Sequence, residues 1–147
     1  MISYFSNEDS QDFITRFCEL PEKLPHNEGR LLPNKSYWKY LLDVFPEVKK
    51  ELFLVSRDGI DLGRALANIS DGNPGVAFFG MIEHDLQNES VANDLYKEIE
   101  RWSRLNGARK IIGPVDLNVW FGNRFQTQGF ERQFSWAPNN PPEYFEV

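Results

Sequence analysis

The chain has 147 residues, 41% hydrophobic and 26% charged, with 12 Phe, 5 Tyr and 4 Trp, which is enough apolar material for one core and too much for a disordered chain. Sixteen Lys and Arg against 22 Asp and Glu leave a formal charge of −6, so nucleic-acid binding, which calls for a basic face, is not expected. One cysteine and two histidines (Cys18, His26 and His84) are too few for an internal disulfide or a Cys/His metal site, and no apolar run approaches the roughly 18 residues of a membrane span.

Met1 to Gln11 shows no basic stretch followed by an apolar one, so no secretory leader is expected. The expectation is a single domain over residues 1–147, cytoplasmic, of mixed α/β class. Ile2 to Phe5 reads as a short first strand. Asn7, Glu8, Asp9 and Ser10 then supply capping and acidic first-turn residues for a helix carrying Phe13, Ile14, Phe17 and Leu20 on one face. Pro21 and Pro25 are expected to end it. Cys18 lies near that apolar face and reads as a small buried hydrophobe. His26 to Asn34 reads as loop. A second helix is expected from about Ser36, with Trp38, Leu41, Leu42 and Phe45, stopping at Pro46.

The period then changes. Glu51 to Arg57, the pair Asp58-Gly59, and Ile60 to Ile69 read as a β-hairpin, because both turn residues tolerate positive φ. Arg64 interrupts the second arm among Leu62, Leu66 and Ala67, either facing solvent or pairing with an acid across the sheet. Asp71 to Gly75 is a further turn. Val76 to Glu83 is mostly apolar and suits a central strand buried on both faces. Between Asn88 and Asn106, Val91, Leu95, Ile99, Trp102 and Leu105 recur at helical spacing, with Glu100 and Arg104 an i,i+4 pair on the wet side. Gly107 stops this helix. Arg109 to Pro114 reads as a strand parallel to Val76–Glu83, since strand, long helix, strand is a crossover unit. The tail beyond scatters Trp120, Phe121, Phe125, Phe130, Phe134, Trp136 and Tyr144 among Gly, Asn and Pro, and reads as cover for a core where strands are missing.

Gly63 to Tyr144 resembles a GNAT-like bacterial subgroup of the acetyl-CoA-using N-acetyltransferase superfamily. The residues that carry the likeness are Gly63-Arg64, Phe78-Phe79-Gly80 with Glu83, and Leu95 with Trp102. They continue through Asn106-Gly107-Ala108, Gly113-Pro114, Gly129-Phe130 and Asn139 to Pro142 with Tyr144. The resemblance implies an acyl-CoA N-acyltransferase-like fold, a mixed central sheet flanked by helices, with the C-terminal strands short or missing. It implies acetyl-CoA or another acyl-CoA between the two parallel strands, with backbone groups at Met81, Ile82 and Glu83 pairing with the pantetheine arm. The pyrophosphate would meet the long helix's N-terminus at Asn88, Glu89 and Ser90. Where the superfamily has a Gly-rich loop, this chain has His84 to Ser90, with no glycine and two acids.

The implied reaction is acyl transfer to a small amine, with Glu83 or His84 as general base. Asn118 would orient a substrate carbonyl or water, and Tyr144 would protonate the leaving thiolate. Each has a plainer reading: Glu83 as a loop start, His84 as a surface histidine, Asn118 as a turn residue, Tyr144 as packing on Pro141 and Pro142. The competing function is a non-catalytic binding domain on the same scaffold. The missing strands also allow a homodimer that completes the sheet.

Overall fold

A computed structural model describes residues 11–122, 125–132 and 140–144. The expected first strand at Ile2–Phe5, and Phe134, Trp136 and Asn139, lie outside the described residues. Among the described residues there are three α-helices, α1 (Gln11–Lys23), α2 (Lys35–Val44) and α3 (Glu89–Leu105). The strands are β1 (Lys49–Arg57), β2 (Ile60–Ile69), β3 (Val76–His84) and β4 (Lys110–Ile112), in the spatial order β1-β2-β3-β4.

β1 and β2 form the hairpin foreseen at Asp58-Gly59, with φ of 51° and 79° at the two turn residues. β2 pairs antiparallel with β3, and β3 pairs parallel with β4 through Val76↔Lys110, Ala77↔Ile111 and Phe78↔Ile112. The crossover unit is therefore as expected. No further sheet strand follows β4 among the described residues; none of their helices is long and apolar enough to cross a membrane.

Strand alternation sends side chains to two cores. Leu52, Leu54, Leu66 and Met81 meet Phe13, Phe17, Leu20, Trp38 and Leu41 of α1 and α2 on one face. Phe53, Val55, Ala65, Ala67 and Ile82 meet Val91, Leu95 and Ile99 of α3 on the other. Three fully buried aliphatics at about 1.5–3 kcal/mol each hold α3 by burial alone, whatever the loop before it does. The approach is close: a Cβ on Gly63 would lie 2.5 Å from Val91 Cγ1.

Two expectations are corrected and one open alternative is decided. Pro21 does not end α1, which continues to Lys23; a proline in the last turn costs one hydrogen bond, and that carbonyl finds another donor, described below. Leu105 is 72% exposed, because the residues packed on that face of α3 are Val91, Leu95, Ile99 and Trp102. For Arg64, where solvent and an acid across the sheet were both open, the structure decides against solvent: the side chain is fully buried and its register partner is Glu83.

Candidate functional site

The site is built on an irregularity. β2 and β3 pair Arg64↔Glu83 and Leu66↔Gly80, so Ala65 alone faces Met81 and Ile82. This bulge puts Met81 at φ 48°, an unusual value for a non-glycine residue. Met81 and Ile82, adjacent in sequence, consequently enter opposite cores. The Met81 amide donates to Asp116 Oδ1 at 2.6 Å.

Asp116 arrives on the segment after β4. Val115 donates to the Phe79 carbonyl at 2.6 Å, continuing the parallel pairing past Ile112. Contact here is tight enough that a Cβ on Gly80 would fall 2.2 Å from the Val115 carbonyl oxygen. The space between β3 and the line of β4 at Phe79–Met81 is thus taken by Val115 and Asp116. Burial pushes Asp116 up to about 6, against the pull of the Met81 amide and Arg64, with Glu83 adding to the rise.

Arg64 crosses under the sheet between two rings, its guanidinium carbon 4.4 Å from the Trp38 ring centroid and 5.0 Å from that of Phe17. Its Nη1 donates to the Phe17 carbonyl at 2.9 Å. That carbonyl is the one whose helical partner would be residue 21, and Pro21 has no N–H. Nε and Nη2 of Arg64 have no hydrogen-bond partner among the described residues. Burial works against its charge, and Glu83 and then Asp116 favour it.

Glu83, partly buried, ends the apolar stretch of β3. Its Oε2 accepts from Tyr144 Oη at 3.1 Å and from Asn27 Nδ2 at 3.3 Å. Burial raises its pKa, while Arg64 and these two donors oppose the rise. The Tyr144 hydroxyl also accepts the His84 amide proton at 2.6 Å and lies 3.0 Å from the His84 carbonyl and 3.3 Å from His26 Nε2. The His84 ring stacks on Tyr144 with centroids 4.2 Å apart. Burial lowers both His26 and His84 and holds the Tyr144 phenol well above its ordinary value. At neutral pH both imidazoles and the phenol are therefore uncharged.

Glu83, His84 and Tyr144 thus converge, 60 residues apart in sequence for the last two. Asn118 does not join them. It sits in the turn of residues 116–121, its amide donating to the Asp116 carbonyl and its Oδ1 accepting from the Trp120 amide. Asp116, Asn27 and His26 are members that sequence reading did not place, and Arg64 was placed only as one of two alternatives. Arg64 and Glu83 carried a signal, as polar residues inside two apolar strands; Asp116 lies in a loop and His26 and Asn27 in the short 3-10 helix Pro25–Asn27, and these three carried none.

At the start of α3, Arg57 spans Asn88 Oδ1 (3.1 Å), Ser90 Oγ (2.6 Å) and Asp94 Oδ2 (3.2 Å). Asn88 gives the helix no side-chain cap. The loop amides are used internally, Asp85 to the Leu62 carbonyl, Gln87 to Asp85 Oδ1 and Asn88 to the Asp85 carbonyl. A pyrophosphate needs such amides free. The helix end and the Arg57 cation suit that group, whereas the three engaged amides do not.

No family model matches the chain. It is 32% identical over 81 residues to a bacterial ceramide synthase of Caulobacter vibrioides, and the match takes in 51% of this chain and 21% of that protein. The chain therefore spans about a fifth of the curated relative it matches. Among solved structures it resembles a Trypanosoma brucei acetyltransferase (TM-score 0.54, 15% identity, 76% of this chain and 81% of that one). It also resembles AAC(6')-Iy, solved with the bisubstrate analogue CoA-S-monomethyl-acetylneamine (TM-score 0.55, 15% identity, 78% and 80%). A third is a GNAT-family protein from Desulfovibrio desulfuricans (TM-score 0.55, 15% identity, 74% and 70%). The chain has the GNAT acetyltransferase fold.

Proposed function

We propose that this chain is an N-acyltransferase domain that passes an acyl group from acyl-CoA to an amine. The observation that carries the reading is the Glu83 carboxylate at the end of β3, held by Tyr144 and Asn27, with a pKa raised by burial. Amide formation breaks a thioester C–S bond, makes a C–N bond and releases a proton from the amine. A carboxylate with raised proton affinity is suited to take it. His84 is the weaker base candidate, because its ring is stacked on Tyr144 and burial disfavours its cation. In this reading Tyr144 fixes Glu83, and its hydroxyl proton is the one available to the departing thiolate. Asn118, held in the turn of residues 116–121, is not among the groups that converge on Glu83.

Two independent likenesses support the same bond. A ceramide is an N-acyl amine, and the bisubstrate analogue bound by AAC(6')-Iy joins CoA to an acetylated amine compound. The acyl-CoA would run along Met81, Ile82 and Glu83 toward Asn88, Glu89 and Ser90, which requires Asp116 to leave the Met81 amide, and the chain would act in the cytoplasm, as a single domain or a sheet-completing homodimer.

The alternative is a binding domain without turnover. The Asp116 hold on the Met81 amide and the engaged amides of residues 85, 87 and 88 favour it. Thiol release from acetyl-CoA, measured over a panel of primary amines that includes a long-chain amino alcohol, separates the two. Turnover that disappears in Glu83→Gln is expected. Undiminished turnover in that variant would clear Glu83 of the role, and none in the parent chain would favour the binding domain.

A further inference from the structure

The short helix Pro25–Asn27 reaches the candidate base twice. Asn27 Nδ2 donates to the Pro21 carbonyl at 3.0 Å and to Glu83 Oε2 at 3.3 Å, which fixes this turn of chain against the end of β3. His26, its neighbour, brings Nε2 to 3.3 Å from the Tyr144 hydroxyl, the two rings standing edge to face with 5.8 Å between centroids. The same hydroxyl lies 3.1 Å from Glu83 Oε2. Carboxyl, phenol and imidazole thus form a row, each within hydrogen-bond distance of the next. Tyr144 is buried and His26 is partly exposed, so the row runs from the candidate base toward water. The His84 ring is not part of it. That ring lies flat on Tyr144 with Nδ1 3.4 Å from the Asp85 carbonyl, and it is the His84 backbone that meets the hydroxyl.

We propose that Tyr144 and His26 are a proton exit for Glu83, with Tyr144 as the relay and His26 as the group that hands the proton to solvent. For the source of the proton the inference rests on the acyl-transfer reading. An aliphatic amine is an ammonium ion at neutral pH and has two protons to lose. One must leave before the nitrogen can attack, and Glu83 takes it. The other comes off as the C–N bond forms and the C–S bond breaks; taken by Glu83 in turn, it replaces the hydroxyl proton that Tyr144 gives the sulfur. Ammonium and thioester therefore yield amide, thiol and one surplus proton, which has to clear Glu83 before the carboxylate can act again. With that proton on Oε2, the hydrogen bond reverses: Oε2 donates to Tyr144 Oη, and Oη passes its own proton to His26 Nε2. Nε2 must be bare when the proton arrives, as it is in the Nδ1–H tautomer. The carboxylate is restored, the phenol stays neutral, and the imidazolium formed gives a proton to water. Burial, then His84 and Arg30, press His26 back to its neutral form, while Asp85 and Glu143 supply counter-charge to the transient cation. Burial also holds the Tyr144 proton firmly enough that the phenol carries protons without resting as phenolate.

Two measurements on the full chain test it. His26→Gln keeps a hydrogen-bonding partner for Tyr144 but cannot carry a proton. With saturating acetyl-CoA at neutral pH, it should lower kcat/KM about tenfold for an aliphatic amine and less than about twofold for an arylamine, which arrives uncharged and brings no surplus proton. An equal loss with both amines, or no loss with either, would overturn the exit and leave acyl transfer standing. The second measurement needs no turnover and follows the nitrogen-15 resonance of His26 Nε2. It should shift in Tyr144→Phe, and Glu83→Gln should shift it only while the Tyr144 hydroxyl is present. A resonance indifferent to Tyr144→Phe, or one that answers Glu83→Gln equally with and without the hydroxyl, would break the row and overturn the inference. Linked resonances in a parent chain that turns over neither amine would remove the acyl-transfer reading and the exit with it, leaving the row as a structural feature.

Discussion

Arg64 donates to the Phe17 carbonyl, the acceptor that Pro21 leaves without its helical N–H. A helix defect on α1 thereby becomes the anchor of a buried cation reaching from β2. The same side chain lies between the Phe17 and Trp38 rings and within electrostatic reach of Glu83 and Asp116.

Replacing Arg64 by Met keeps much of the volume and removes the charge. It leaves the Phe17 carbonyl without a donor and two partly buried carboxyls without their cation. The expected loss is about 3–5 kcal/mol in urea unfolding. A loss below about 1 kcal/mol would mean that the guanidinium contributes little more than ring packing.

Gly80→Ala tests the seating of the segment after β4. The new methyl would overlap the Val115 carbonyl oxygen, so either strand or segment must shift. A fall in stability of about 1–3 kcal/mol is expected, with loss of protection at the Val115 amide. Unchanged exchange at that amide would show that Val115 is not held against Phe79.

Tyr144→Phe removes the acceptor of the His84 amide and a donor to Glu83. An unsatisfied buried donor costs about 1–3 kcal/mol, which thermal unfolding would register. A melting point equal to that of the parent would indicate that water replaces the hydroxyl freely.

Asp116 has a definite pH signature. Its folded pKa, near 6, lies above its ordinary value of 3.8. Between those limits the folded chain binds more protons than the unfolded one, so this residue's contribution to stability falls as pH rises through that window. His26 and His84, lowered in the fold, act in the opposite sense, weakening the folded state as pH drops below about 6.5. Subtracting the stability profile of Asp116→Asn isolates the first effect: the variant should gain on the parent between pH 4 and 6. A flat difference would contradict the raised pKa.

Period and punctuation in the chain were sufficient for α2, α3, the hairpin and the parallel β3–β4 pair. Leu41 and Leu42, Val91 with Leu95 and Ile99, and Asp58-Gly59 announce their own geometry locally. The site was legible only in pieces. Glu83, His84 and Tyr144 each stood out as candidates, but their meeting depends on a chain return of about sixty residues that no local pattern encodes. Arg64 opposite Glu83 depends on a one-residue bulge, and a change of register alters every cross-strand pair beyond it. Nothing in the sequence singled out Asp116, because its partner is a backbone amide on another strand.

The most direct measurement is a calorimetric titration of the chain with acetyl-CoA, alongside the parallel titration with free CoA. Saturable one-to-one heat for both ligands, retained in Glu83→Gln, is the result expected of an acyltransferase whose carboxylate serves the amine and not the thioester. Absence of binding heat at millimolar ligand, in a chain that melts cooperatively, would contradict it.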